Sequence, residues 1–543
     1  MQFAQALSTG ESMLEGFTPW SQKISNSYKQ KGYWLEETIY GFLQKAARGH
    51  REKTAVADSF RELTYAELEC EAESMAASFF EKGVRSGQTV VMHLSNSVTF
   101  AIAFLGLQRL GAIPVLALSS HREREILHFC RISQASFYIL SRDVRTDGCS
   151  SMVSAILEGM PGLEVIYVED MKRGSVSCPR PNPDPSDVAL LLTSGGTTGL
   201  PKLIPRTHND YLCFARESAR SVRLSKDDVY LVALPAAHNF PLASPGILGA
   251  LASAATVVFS KSVAPDDAFE LIQKYRVTVT SLVPAVARLW ADAKDWMPED
   301  LSSLRLIQVG GSRLMPEHSR QLRSAFGSIV QQVYGMAEGL MHLTEIGAPD
   351  EVVDNTQGRS LSVDDETRVV GDDGRDVPVG SVGQLLVRGP YTVRGYFRAP
   401  EQNKRSFTGD GFYCTGDLVR FTPDGYIVVE GRVKDQINRA GESVSAVEIE
   451  ELLITHSSIE DAAVIAVPDE MLDERICAFV IIADGYDPVD RLEIRHFLIS
   501  EGLASFKVPD DVRVLKRFPA TAAGKTDKKA LLDIYEKTKN AVE

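Results

Sequence analysis

From about Thr54 to Gly335 the chain alternates short apolar, β-rich runs with stretches of helical periodicity. Thr89–Leu94 predicts a strand, Ser97–Gly111 a helix, Ala112–Leu118 a strand, His121–Gln134 a helix and Ser136–Leu140 a strand. Val188–Leu192, Val229–Leu234, Thr256–Phe259, Thr278–Val283 and Leu304–Val309 continue the series as strands. Strands alternating with helices form parallel sheets whose crossover helices cover the faces. So many strands fit two sheets better than one.

Past Gly339 the pattern changes. Residues 365–431 place turns such as Asp372-Asp373-Gly374, Thr408–Gly411 and Pro423-Asp424-Gly425 between short β runs, which predicts a small antiparallel barrel or sandwich. A last unit begins near Lys434, where Ser445-Ala446-Val447-Glu448 reads as a capping box opening a helix to about His456. Val464–Val467 and Ile476–Ile482 then read as strands and Val489–Glu501 as a helix. The expected fold class is α/β. A core over 1–433 holds two helix-covered, mostly parallel sheets and a β-barrel subdomain at about 345–433, and a small α+β domain covers 434–543.

Bulk properties narrow the function classes. A chain of 543 residues exceeds what one hydrophobic core serves. Its 44% hydrophobic and 24% charged residues are those of an ordinary globular protein. A net charge of −14 argues against a general nucleic-acid binder, whose phosphate contacts need clustered Lys and Arg. Seven cysteines without a Cys-x-x-Cys pair suggest neither a disulfide framework nor a zinc site, which fits a reducing cytoplasm. No secretory signal is apparent at the N-terminus. The apolar tract from Phe100 is broken by Gln108 and Arg109, and 245–260 is too short for a membrane span, so both read as buried core.

The candidate chemistry starts at Ser194-Gly195-Gly196-Thr197-Thr198-Gly199-Leu200-Pro201-Lys202, directly after an apolar strand. Glycines let backbone N–H groups converge on phosphate oxygens, hydroxyls add donors, and a lysine adds charge. An ordinary flexible turn has the same composition, so the loop alone does not decide. It is not a Walker loop, because Leu200 and Pro201 follow Gly199; the other lookalike, Gly524-Lys525-Thr526, has Pro519 at its first glycine position. Four further polar motifs follow: Gln331–Glu338, Tyr413–Asp417, Gly431–Asp435 and Ala522–Lys525. Each alone is compatible with a strand end, a turn, a linker or a solvated lysine.

Together, in this order and at these separations, the motifs resemble the ANL superfamily of adenylate-forming enzymes over about residues 50–530. The resemblance implies ATP and Mg²⁺ as cofactors and a mobile C-terminal lid. It implies that 194–202 embraces the β- and γ-phosphates and that Glu338 binds Mg²⁺. By the same resemblance Tyr334 would lie against adenine, Gly311 and Ser312 would leave room for the base, and Val333 and Gly335 would join the ATP-binding residues. It further implies that Asp417 accepts from the ribose hydroxyls beside Arg432, that Lys434 is the hinge, and that Lys525 bridges the substrate carboxylate and the α-phosphate.

Within that superfamily, 194–208, Ala237–Gly246 and Tyr334–Gly339 look like the stand-alone 2,3-dihydroxybenzoate–AMP ligases of siderophore biosynthesis. Amino-acid-activating relatives carry an acid where this chain has Asn239, which fits a substrate without an amine. By the resemblance, Asn239 meets the 2-hydroxyl and carboxylate region and Ser244 the 3-hydroxyl, with Phe240, Gly310, Met336 and Met341 lining the pocket. The local alternative is that Asn239 caps a helix from about Pro241 and Ser244 bonds its own backbone. His238 has two readings, a catalytic wall residue near the carboxylate or a structural histidine. Two departures stand out: Met341 where valine is frequent, and Ser443 where a lysine is often found.

The implied reaction is aryl-AMP formation followed by transfer to the phosphopantetheine thiol of a separate aryl carrier protein, presented past the Gly441 loop. No nucleic-acid or membrane partner is expected, and the cytoplasm is the expected location. Three rivals share the fold: a salicylate–AMP ligase, an aryl-CoA ligase using free CoA, and a catalytically dead nucleotide-binding scaffold.

Overall fold

The computed structural model describes residues 14–539, apart from 143–148, 173, 175–177, 182, 195–200, 434–435, 440–441, 470–471, 502, 504–506 and 522–523. Two large sheets dominate the N-terminal domain. The nine-stranded sheet runs, edge to edge, Arg359–Ser360, Leu340–Leu343, Val330–Met336, Leu306–Gly310, Val279–Leu282, Val229–Val232, Thr256–Phe259, Thr54–Ala57 and Glu62–Thr64. Its six central strands are mutually parallel and only the outer ones are antiparallel. The six-stranded sheet runs Glu164–Tyr167, Phe137–Leu140, Thr89–His93, Ile113–Ala117, Val188–Thr193 and Leu203–Thr207. It too is parallel apart from its last strand.

The helix Val98–Leu110 shows why these segments fold as they do. Ser97 Oγ accepts the Phe100 N–H at its start, and Gly111 ends it in the left-handed region at φ 71°. Its surface is apolar on every side except near its end, where Gln108 donates to the Ala189 carbonyl and Arg109 to Glu73, so no face is left for water. It is accordingly buried, touching Thr54–Ala57 of one sheet and Ile113–Ala117 of the other. Among the described residues, no helix is long and apolar enough to cross a membrane.

The segment expected as a small barrel is an antiparallel four-stranded sheet in the order Glu366–Val370, Gly383–Arg388, Tyr413–Phe421, Ile427–Arg432. Its last hairpin turns at Gly425, whose φ of 81° suits glycine and whose N–H donates to the Thr422 carbonyl. The resulting register sets Asp417 directly opposite Arg432.

The smaller C-terminal domain carries a five-stranded sheet built on a long hairpin, Ile459–Asp469 with Asp473–Ile482. Both strands extend well past their expected limits, because pairing along the whole hairpin outweighs the polar residues at its ends. Strand Asp511–Val514 and helix Lys528–Lys539 join the domain without a clear sequence signal. The expected capping box at Ser445 is half formed. Ser445 Oγ accepts the Glu448 N–H at 3.4 Å, while the Glu448 carboxylate pairs with Lys507 Nζ at 2.7 Å instead of returning to the cap. Across the two domains, Arg288 pairs with Glu460 and Asp461, and Arg313 with Glu451. The expected hinge, Lys434, lies outside the described residues.

Candidate active site

The chain leaves strand Val229–Val232 for Thr256–Phe259 on one side, then crosses back to Val279–Leu282 on the other. Such a reversal opens a crevice at the carboxyl ends of the strands, where ligands of α/β sheets bind. The segments leaving these ends carry His238 and Asn239, Val283, Gly310 and Gly311, and Tyr334 through Glu338.

Close packing explains two glycines here. A Cβ on Gly310 would lie 3.1 Å from the Val333 Cβ and 3.3 Å from the Phe240 ring. Gly311, at φ 87°, sits over Val283, and Gly524 of the C-terminal domain approaches the same valine from the other side. Lys525 follows Gly524 and closes a tight loop with Thr521, its N–H donating to the Thr521 hydroxyl and its carbonyl accepting the Thr521 N–H. The loop therefore carries Lys525 into the crevice. Burial and the nearby Arg432 lower its pKa from the usual 10.5, against the opposing pull of Asp417 and Glu338.

The polar groups form two sets, one around Asp417 and one around Glu338. Asp417, 3% exposed, accepts the Arg432 Nε–H at 2.7 Å and the Tyr334 phenol at 2.6 Å. A carboxylate still has lone pairs for two further donors. Glu338, 8% exposed, accepts the Tyr396 phenol at 2.7 Å on Oε1, and Tyr396 meets the Tyr413 hydroxyl at 3.1 Å. Lys202 Nζ stands 4.6 Å from the centre of the Tyr396 ring. Ser194 Oγ accepts the Lys202 N–H at 2.9 Å, closing the base of the glycine loop. Gly195, Gly196, Thr197, Thr198 and Gly199 lie outside the described residues, as does Gly441.

Around the base of the crevice, the short helix Asn239–Ala243 is capped by His238, not by Asn239: the Phe240 N–H donates to His238 Nδ1 at 3.3 Å. Packing and the neighbouring Lys525 push His238 down to about 4, so it is neutral at physiological pH and its Nδ1 is already engaged. Asn239 is 7% exposed and accepts the Tyr211 phenol at 3.0 Å on Oδ1. Ser244 is 3% exposed, and its hydroxyl does not bond its own backbone. Among the described residues neither the Asn239 amide nitrogen nor the Ser244 hydroxyl has a partner. Met341 is buried with its Sδ accepting from Ser218 at 3.5 Å, Met336 is half-buried, and Ser312 is exposed.

Residues 43–397 match the AMP-binding enzyme family, and residues 448–525 match the AMP-binding enzyme C-terminal domain. The chain belongs to the ANL family of adenylate-forming enzymes. The enzyme is 45% identical over 529 residues to a 2,3-dihydroxybenzoate-AMP ligase of Bacillus subtilis, covering 96% of this chain and 97% of that one. It is 45% identical over 536 residues to a salicyl-AMP ligase / salicyl-S-ArCP synthetase of Mycobacterium tuberculosis, covering 96% and 94%. The apo structure of MbtA from Mycobacterium smegmatis superposes with a TM-score of 0.75 at 44% identity, covering 96% of this chain and all of that one.

Three functional neighbours escaped the sequence reading. Tyr396 lies in the loop before helix Pro400–Ser406, and Tyr413, which opens the Tyr413–Asp417 motif, is assigned no role of its own by the sequence. Arg206 lies in the strand Leu203–Thr207 and is fully buried. Its guanidinium donates to Asp210 at 2.6 Å, to the Ala337 carbonyl at 2.8 Å and to the Tyr391 carbonyl at 3.1 Å. It thereby ties the segment holding Glu338 to the loop leading to Tyr396. Gly339, at φ 97°, completes the junction, since any Cβ there would collide with the Tyr391 carbonyl oxygen.

Proposed function

We propose that the enzyme activates an ortho-hydroxylated benzoate, 2,3-dihydroxybenzoate first among them, with ATP. It forms the aryl adenylate and pyrophosphate, then passes the aryl group to the phosphopantetheine thiol of a separate aryl carrier protein in siderophore assembly. The observation that carries the choice of acid is the pair Asn239 and Ser244. Both are more than nine-tenths buried on one short segment of the crevice, and each retains an unmatched polar atom. Neither atom is among the fully buried unmatched ones of the described residues, so both face open space in the crevice, where a ligand's polar groups can meet them. No carboxylate stands at position 239 to pair with an amino acid's ammonium. The named ligases of dihydroxybenzoate and salicylate, at 45% identity, support the same class.

In this reading the 194–202 loop and Lys202 take the β- and γ-phosphates, and Tyr334, Gly311, Ser312, Val333 and Gly335 flank the adenine. Asp417 receives the ribose hydroxyls, with Arg432 holding the carboxylate in place. Phe240, Gly310, Met336 and Met341 shape the acid's pocket. Lys525 stands where the acid's carboxylate must meet the α-phosphate, and its cation offsets the repulsion between two anions. His238, neutral and capping a helix, orients this wall and transfers no proton through Nδ1. Lys434 is the pivot about which the lid turns to admit a thiol past Gly441.

Mg²⁺ fits Glu338. Its Oε2 has no partner among the described residues, and no group of three or more His, Cys, Asp or Glu there could hold an ion alone. A single carboxylate completed by phosphate oxygens and water is the usual Mg²⁺ arrangement beside a nucleotide. The ion would supply charge neutralisation on the phosphates. Glu338→Gln is expected to lower exchange about 100-fold and to raise the Mg²⁺ concentration needed for half-maximal rate. A Mg²⁺ titration identical to that of the parent would remove Glu338 from the metal site.

ATP–pyrophosphate exchange across 2,3-dihydroxybenzoate, salicylate, benzoate and several amino acids tests the reading. The dihydroxy acid is expected to give the highest kcat/KM and amino acids none. Ser244→Ala is expected to cost the dihydroxy acid about tenfold and to leave salicylate unchanged, because only the former has a 3-hydroxyl. Exchange stimulated by amino acids and not by aryl acids would overturn it. Comparing thioester formation on a carrier protein and on free CoA then separates this reading from an aryl-CoA ligase.

A further inference from the structure

We infer that Tyr211 sets the enzyme's preference for an ortho-oxygen over an ortho-nitrogen on the acid, by locking the orientation of the Asn239 amide. The inference rests on the proposed aryl-acid reading and adds a residue outside the pocket wall. Tyr211 lies in helix His208–Ser221 and is fully buried. Its phenol donates to Asn239 Oδ1 at 3.0 Å and makes no other hydrogen bond among the described residues. The Arg206 guanidinium stands 4.6 Å from the centre of its ring, and that arginine is itself held by Asp210 and two carbonyls. The ring is thus pinned on one face by a cation, and its hydroxyl has one place to donate.

An asparagine amide can present either end, and the two ends have opposite hydrogen-bonding sense. If Asn239 were flipped, its nitrogen would donate to the phenol oxygen and the phenol proton would be left buried with no acceptor. Burial also pushes the Tyr211 phenol well above its usual 10, so it remains a donor throughout the working pH range. The phenol therefore holds Oδ1 toward itself and leaves the amide N–H groups for the substrate. Two N–H donors welcome an ortho-hydroxyl or phenolate oxygen. They oppose an ortho-amino group, whose own N–H bonds would face them.

Tyr211→Phe removes the hydroxyl and keeps the ring under Arg206. Exchange is measured for this variant and the parent enzyme with 2,3-dihydroxybenzoate, salicylate, benzoate and 2-aminobenzoate. KM for both ortho-hydroxy acids is expected to rise about tenfold with kcat little changed, and the salicylate to 2-aminobenzoate ratio to narrow about tenfold. Benzoate makes no ortho contact and should be unaffected, so it reports in the same preparation that the nucleotide site is intact. Ratios equal to the parent's, whether rates hold or fall uniformly across the four acids, overturn the inference and leave the proposed function standing. A parent enzyme that activates aryl acids without favouring an ortho-oxygen does the same. A parent inactive on all four sinks the proposed function and this inference with it.

Discussion

Lys525→Ala is expected to lower aryl-acid-dependent ATP–pyrophosphate exchange by about 10²–10³-fold while the protein keeps its fold. The residue closes a loop held, among the described residues, by the Thr521 hydroxyl and by backbone groups, not by the lysine side chain. Its ammonium, carried by the C-terminal domain, is within electrostatic reach of Arg432, Asp417, Glu338 and His238 of the N-terminal core. In the proposed reading, removing it deletes a cation where charge builds up and leaves no unmatched partner behind among the described residues. A pH profile gives a second check. Burial and Arg432 lower the lysine's pKa from 10.5, so the charged form is lost earlier than for a free lysine as pH rises. Adenylation should therefore decline on the alkaline side at a pH below 10.5, and that limb should be missing from the residual activity of Lys525→Ala. Undiminished exchange in the variant would place the lysine elsewhere.

Arg206→Met should be the most damaging change outside the crevice. Arg206 and Asp210 form an ion pair at 2.6 Å with both side chains at 0% exposure. Desolvation already raises the Asp210 pKa despite the arginine. Taking away the cation leaves a buried carboxylate unpaired, at a cost of about 3–5 kcal/mol. It also frees the Ala337 and Tyr391 carbonyls, which brace the segment carrying Glu338. A lower urea midpoint and a weakened response to Mg²⁺-ATP are expected together. Replacing Asp210 by Asn in the same chain should recover part of the stability, because a neutral amide is cheaper to bury than an orphaned charge. The Mg²⁺-ATP response should stay weak, since the carbonyls remain unbraced. A single variant with parental midpoint and parental Mg²⁺ dependence would show that the pair is dispensable.

Several parts of the fold were legible along the chain because a local signal and the tertiary environment agree. The strand-and-helix rhythm from Thr89 to Leu140 reproduces the elements of the six-stranded sheet to within a few residues at each end. Helix Val98–Leu110 announces its burial by having no polar face. Where the two levels disagree, the pattern misleads. Glu448 has the spacing of a capping box, but Lys507, 59 residues on, offers its carboxylate a full charge. Strand Asp511–Val514 carries alternating charges and declares itself only by pairing beside Asp473–Ile482.

Residue types and their order determined the family, the nucleotide motifs and the absence of an acid at position 239. Those properties reside in single side chains and short spacings, which a linear text preserves. Only the folded chain decided that His238 caps the helix in place of Asn239, that Tyr396 and Tyr413 join Lys202 to Glu338, and that Arg206 and Tyr211 support the crevice from behind. The cap is a local choice between neighbouring residues, and the others are meetings of groups far apart in sequence. Hydrogen bonds and ion pairs act over a few ångströms in space, whatever the distance along the backbone.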